Sequence, residues 1–256
     1  MKQIFRRIRF ISGSLFVLSL LNCGSPQIIV DTAKLDQAYI PLLFMTGQPE
    51  TTQLQAIQLF DRFIRRWHLF YGHYQAANQI NPAWGNGLDS VNITIRAVED
   101  SLLEQSDLAT IHKMLETVRL DLMTLRRNNQ IGYALDELTA FHEIMEPMAA
   151  AAGQMHADSA KAEQFVQPIL NHLEAAQKQW LRVQMVKFDP VLFNLDETDL
   201  EAFISGKSDL QNQLNLLERA VVTHDTPQIA ATAKALKPQF VKIYLLFGDF
   251  GGSNQN

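Results

Sequence analysis

The sequence predicts an all-α fold made of stacked antiparallel helical hairpins, arranged as a helical bundle or a short α-superhelix. Glycine and proline are scarce, at 12 and 9 of 256 residues, and alternating runs of β-branched residues are few. Apolar residues instead recur at steps of three and four along most of the chain. With 47% hydrophobic residues, the chain has enough apolar surface to bury a sizeable core.

Four helices are predicted in the first half, over residues 32–45, 49–74, 91–104 and 108–128. Pro49 is suited to a first helical position. The second helix carries an apolar stripe of Ile57, Phe60, Ile64, Trp67, Tyr71 and Tyr74, with Phe63 and Phe70 as a second flank. The fourth helix has the most regular seam, formed by Leu108, Ile111, Leu115, Val118, Leu122 and Leu125.

A polar loop is predicted over residues 75–88, because it contains the helix breakers Pro82, Gly85 and Gly87. Trp84 lies among them. A tryptophan in such a loop either plugs the core or remains exposed as a binding residue. The sequence leaves both alternatives open.

In the second half, helices are predicted over residues 135–152, 158–187, 198–222 and 226–247. Their stripes are typified by Leu138, Phe141, Met145 and Met148 in the first, and by Ile229, Ala233, Leu236, Phe240, Ile243 and Phe247 in the last. Pro147 predicts a loosened turn in the first of these helices, and Gly206 makes the third uncertain at that point. We expect a single helical domain over 32–250, with possible halves at 32–128 and 132–250, and a disordered tail over 251–256.

The N-terminus has the pattern of an export signal. Lys2, Arg6, Arg7 and Arg9 precede the apolar run 10–21, which is shorter than the roughly 20 residues that a membrane-spanning helix needs. The run ends in Leu20-Leu21-Asn22-Cys23, which contains the only cysteine of the chain. This tetrapeptide resembles the lipobox of bacterial lipoproteins, although Asn22 stands where a small residue is usual.

The lipobox resemblance implies a signal peptide over 1–22 and acylation of Cys23, followed by a tether over 23–31. A protein anchored in this way faces the periplasm of a Gram-negative-type cell envelope. Gly24 is not the aspartate that retains enteric lipoproteins at the inner membrane, so the outer membrane is the expected location. An uncleaved anchor, or an ordinary secretory signal with a coincidental cysteine, is the alternative.

The charge of the chain argues against nucleic acid as a partner. The formal net charge is −5, and removal of the four signal-peptide cations lowers it to about −9 for the mature chain. Binding to nucleic acid requires a basic stripe that displaces counterions. A protein of the cell envelope, or an apolar ligand held between helices, is the expected partner.

The richest polar segment is Phe141-His142-Glu143-Ile144-Met145-Glu146-Pro147-Met148. It lacks the second histidine of the zincin motif HExxH, because Glu146 stands in that position. Helical hairpin geometry places His142 level with Asp121, which predicts a histidine–aspartate pair. It also places the pair His112 and Glu116 roughly 13 Å along the axis from His142 and Glu146, too far for one ion.

A second hypothesis assigns metal or haem binding to the same segment. His142, Met145, Glu146, Met148 and His156 would supply the ligands, in a set that suits copper or a haem iron. The core-filling role of methionine is the competing interpretation. No nucleophile motif or glycine-rich phosphate loop is present in the sequence, so we expect a binding or scaffolding module without a cofactor rather than an enzyme.

Overall fold

The structure is a computed structural model that describes residues 26–76 and 82–251. Within these ranges it contains no β-strand and eight α-helices: α1 (Gln27–Thr46), α2 (Gln53–Tyr74), α3 (Pro82–Leu103), α4 (Leu108–Asn128), α5 (Leu135–Ala157), α6 (Val166–Met185), α7 (Glu197–Val222) and α8 (Thr226–Leu245). The predicted all-α class is therefore confirmed. The predicted signal peptide, Cys23 and residues 252–256 lie outside the described residues.

Each helix packs against the next one in the chain, and two rings of four result. In the first ring α1 contacts α2, α2 contacts α3, α3 contacts α4, and α4 returns to α1. Helices α5 to α8 close a second ring in the same order, with α8 returning to α5. This closure is the packing of up-and-down helical bundles. The rings meet through α4 against α5 and through α1 against α8.

The predicted apolar seams form the core. In α4 the seam residues from Ile111 to Leu125 are buried. The six seam residues predicted for the last helix, of which Phe247 lies just beyond α8, are each at most 2% exposed. The stripe of α2 is rotated from its predicted position. Phe63 and Phe70 are buried, whereas Ile57, Ile64 and Tyr71 are only partly buried. None of the described helices is both long and apolar enough to cross a lipid bilayer.

The first two helices start at positions other than those predicted. Helix α1 begins at Gln27, so the last residues of the predicted tether 23–31 are helical. Helix α2 begins at Gln53 rather than at Pro49, because Thr52 and Gln55 form a capping box at its N-terminus. In a capping box, each side chain accepts from the backbone N–H of the other residue, which satisfies two otherwise unpaired donors.

The predicted loop over 75–88 is wrong in its second half, since α3 begins at Pro82. The glycines there allow close packing instead of breaking the helix. A Cβ atom at Gly85 would lie 2.7 Å from the carbonyl oxygen of Gln75, and one at Gly87 would lie 2.4 Å from a methyl carbon of Leu125. Trp84, between them, is 1% exposed, and its indole N–H donates to the carbonyl of Tyr74 at 3.0 Å. Trp84 therefore plugs the core, which is one of the two alternatives that the sequence left open.

Helix boundaries in the second half also depend on packing. Helix α5 continues through Pro147 to Ala157, five residues beyond its predicted end, and a 3-10 segment (Ser159–Phe165) then leads into α6. Helix α7 is continuous through Gly206, where a Cβ atom would lie 2.8 Å from Ile243 of α8. A second 3-10 segment (Pro190–Phe193) joins α6 to α7 and packs on α1.

Candidate functional site

A buried group of charged side chains lies where α4 and α5 meet, with α1 and α8 contributing further contacts. Its two cations, Arg119 and Arg126 of α4, are each only 5% exposed. Seven residues apart, they lie on the same face of the helix, two turns from each other. Because arginine is almost never buried without anionic partners, the partners of these two residues define the site.

Arg126 is paired with Asp136, in the first turn of α5. Its Nε atom donates to both carboxylate oxygens at 3.1 Å, and Nη2 makes a still closer contact with Oδ1. The guanidinium carbon also lies 4.8 Å from the ring centre of Tyr133. That tyrosine hydroxyl donates to Oδ2 of Asp36 in α1 at 2.8 Å. The charge of Arg126 therefore acts on two buried carboxyl groups, those of Asp136 and Asp36.

This shared cation leaves Asp36 incompletely neutralised. Burial raises the pKa of Asp36 to about 6, even though Arg126 and the Tyr133 hydroxyl act to lower it. The carboxyl group of Asp36 consequently takes up a proton near pH 6, far above the ordinary range for aspartate. The charge of Asp36 therefore changes close to neutral pH.

Arg119 holds together the second part of the buried group. Its Nη2 atom lies 2.6 Å from Nδ1 of His142 and 3.5 Å from Glu143, and it forms a close ion pair with Glu116. The guanidinium carbon lies 5.8 Å from the ring centre of Tyr244 in α8. The pairing thus links α4, α5 and α8 around one cation.

These contacts fix the tautomer of His142. A guanidinium can only donate, so Nδ1 of His142 accepts from Arg119 and the proton is on Nε2. Nε2 lies 3.0 Å from Oε1 of Glu146, and Nζ of Lys237 lies 2.6 Å from the same oxygen. Burial acts to raise the pKa of Glu146, but the hydrogen bonds from His142 and Lys237 lower it to about 2. His142 is therefore paired with Arg119 and Glu146, and the predicted partner Asp121 is wrong.

The two predicted histidine–glutamate pairs are closer than helix counting indicated. One potential metal-ligating atom from each of Glu116, His142 and Glu143 lies within 4.8 Å of the other two. The predicted separation along the helix axes therefore does not keep Glu116 from His142. The same geometry fits a metal ion poorly, because the guanidinium of Arg119 already contacts all three of these residues.

The ligand set predicted for copper or haem does not come together. Met145 and Met148 are fully buried within the apolar core. His156 follows His142 by 14 residues on the continuous helix α5, which corresponds to about 21 Å along the axis. His142 and Glu146 lie 3.0 Å apart, and Lys237 shares the carboxylate with the histidine.

His156 instead lies on a groove at one end of the second ring. This groove, called here the α5–α8 groove, has a volume of about 450 Å³. Met155, Ala162, Pro227, Ala230 and Ala231 form its apolar wall, and its polar residues are His156, Glu163, Thr226 and Lys234. Helix α5, the 3-10 segment Ser159–Phe165 and helix α8 therefore enclose an apolar surface with charged groups at its edge.

A second depression lies between α1 and α2. It has a volume of about 370 Å³ and is lined by Lys34, Arg62, Arg65 and Arg66 together with Gln37, Ala38, Leu69 and Asp249. We call it the basic cleft. Sequence reasoning missed it because the overall charge is negative, yet a signal was present. Arg62, Arg65 and Arg66 are spaced at i, i+3 and i+4, which places them on one face of α2.

No family model, curated protein or solved structure matches this chain.

Proposed function

We propose that the chain is a lipid-anchored binding protein of a Gram-negative-type cell envelope, which holds an apolar ligand in the α5–α8 groove. The proposal for the anchor rests on the sequence of the first 23 residues. The proposal for the ligand rests on the groove. In this proposal the protein binds a ligand and does not catalyse a reaction.

The observation that carries the proposal is the chemistry of the groove wall. Small ligands are typically bound in concave sites of about 300 to 1,000 Å³ with apolar walls and a few polar groups, and the groove has about 450 Å³. Its wall of methionine, alanine and proline side chains offers no directional contacts. Lys234 at the edge suits an anionic head group. The ligand class that fits is an amphipathic molecule with an apolar body and a carboxylate, such as a fatty acid.

Copper or haem binding, the alternative function, has less support. A haem needs axial ligands that face each other across a cavity, and the candidate methionines are enclosed in the core. A protein partner is also less well supported than a small ligand, since the groove is concave rather than flat.

A photoreactive fatty acid, applied to membrane fractions that contain the protein, tests the ligand. Labelled peptides mapped by mass spectrometry should include residues of the groove wall from α5 and α8. Ala230→Trp, which fills the groove, should reduce labelling at least tenfold. Ala175→Trp, on the exposed face of α6, is the matched control and should be labelled like the unmodified chain. Equal labelling of the two variants would contradict the proposal.

Acylation of Cys23 is tested separately. Intact-mass analysis of the protein purified from membranes should show cleavage before Cys23 and an added diacylglycerol. Cys23→Ser should release the protein from the membrane fraction. An unprocessed, unacylated N-terminus would refute the anchor while leaving the groove proposal open to its own test.

A further inference from the structure

The basic cleft concentrates positive charge on a chain whose net charge is negative. Four cations line it, against the single carboxylate of Asp249. They come from both helices of the first hairpin, with Lys34 on α1 and the three arginines on α2. Like charges at this density repel one another, so the arrangement does not arise from a need for stability.

Two of these cations have anionic partners within the protein. Nζ of Lys34 lies 3.5 Å from Asp31, which also accepts from the Tyr74 hydroxyl at 2.9 Å. Nη2 of Arg62 donates to the Asp249 carboxylate at 2.9 Å and to its backbone carbonyl at 2.9 Å. Both pairs are only partly buried, so water weakens them.

The other two cations, Arg65 and Arg66, form no ion pair with any residue in the described ranges 26–76 and 82–251. Both are exposed, and the amide-bearing side chain of Gln37 lines the cleft with them. Two adjacent guanidinium groups with free donors match an anion that carries two charges and several acceptor oxygens, because each guanidinium can bind two such oxygens at once.

From this geometry we infer that the basic cleft binds a phosphomonoester group, with Arg65 and Arg66 as its principal ligands. Asp249 acts as an internal competitor for Arg62. Its position is fixed by its backbone N–H, which donates to the carbonyl of Gln37 at 2.7 Å. The phosphate can belong to a soluble ester or to a lipid head group. Leu69, 69% exposed and lining the cleft, would contact the apolar part of a lipid.

Calorimetric titration of the protein purified from its own membranes in nonionic detergent tests the inference. The probes are inorganic phosphate and dihexanoyl phosphatidic acid. The unmodified protein should bind at least one of them saturably at a single site. Arg65→Gln combined with Arg66→Gln should weaken that binding at least tenfold. Arg182→Gln combined with Arg219→Gln, two exposed cations outside the cleft, is the control of equal charge and should bind normally.

Asp249→Asn provides a test in the opposite direction. The variant keeps the backbone contacts of residue 249 and removes the competing charge, so affinity for phosphate should rise severalfold. The source of the phosphate follows from comparing the probes. Tighter binding of phosphatidic acid that is lost in Leu69→Asn indicates a lipid, whereas equal binding of both indicates a soluble ester. No saturable binding at millimolar concentration, or equal weakening in the control variant, would overturn the inference.

Discussion

The buried charged group and the basic cleft use the same residue types under opposite conditions. In the interior, Arg119 and Arg126 are each surrounded by carboxylates and aromatic rings. At the surface, Arg65 and Arg66 form no ion pair among the described residues. They lie within one helical turn of a third cation, Arg62, which can only repel them. The difference shows that burial forces pairing, because an unpaired charge costs several kcal/mol once it is removed from water.

The difference also separates structural charges from those available to a ligand. The buried cations Arg119 and Arg126 are already paired with carboxylates, so the interior group joins helices rather than binding a partner. Solvated guanidinium groups cost little to leave unpaired and can exchange water for an anion. Three predictions test this comparison, in order of decreasing effect on stability.

Replacing Arg126 should have the largest effect. Arg126→Met leaves the buried carboxyl groups of Asp36 and Asp136 without their cation, and breaking a buried ion pair in this way costs about 3 to 5 kcal/mol. Urea denaturation followed by circular dichroism measures the loss. Arg127→Met is the matched control, because its pair with Glu137 is partly exposed and should cost less than about 1 kcal/mol. Similar losses in both variants would contradict the comparison.

The second prediction concerns the pH dependence that Asp36 introduces. Its pKa is raised from 3.8 to about 6 on folding, so the folded state binds the proton more tightly than the unfolded state. The free energy of unfolding should therefore contain a contribution that is present at low pH and is lost as the pH rises to about 6. Between about pH 4.5 and about pH 7.5 this contribution amounts to about 2 kcal/mol.

Asp36→Asn should remove this loss while keeping an acceptor for the Tyr133 hydroxyl. Relative to the unmodified protein, the variant should gain stability as the pH rises through this window. Denaturation midpoints measured across the range report the change. If the denaturation midpoints of the two proteins change in parallel with pH, Asp36 does not change its charge in this pH range.

The smallest effect is expected in the basic cleft. Arg65→Gln combined with Arg66→Gln removes two exposed charges that repel each other and have no ion-pair partner in the part of the chain that the structure describes. The free energy of unfolding should therefore change by no more than about 0.5 kcal/mol. The same urea denaturation measures it. A loss as large as that in Arg126→Met would mean that these arginines are structural and would weaken the ligand inference.

Glycine shows where sequence reasoning failed. A glycine between polar residues favours a turn, and on that basis Gly85 and Gly87 predicted a loop. In the structure both lie within α3, where neighbouring atoms leave no room for a Cβ. Whether a glycine breaks a helix or admits a close neighbour depends on which atoms lie opposite. The neighbours of these two are Gln75, directly after α2, and Leu125 of α4.

His142 illustrates the same limit for the candidate site. Its proximity to Glu146, one turn away on the same helix face, followed from helical spacing. Its hydrogen-bond partner on α4 could not be derived from helical spacing. The sequence-based alignment of α4 with α5 selected Asp121, whereas the long side chain of Arg119 reaches Nδ1 of His142.

By itself the sequence determined the all-α class and the seams of α4, α5 and α8. Local periodicity suffices for these features because burial of one helical face dominates the stability of each helix. Only the tertiary structure decided which charges are neutralised, where glycine permits close approach, and that three arginines of α2 meet a lysine of α1 in one cleft. These features depend on distances between residues far apart in the chain, and no local pattern encodes such distances.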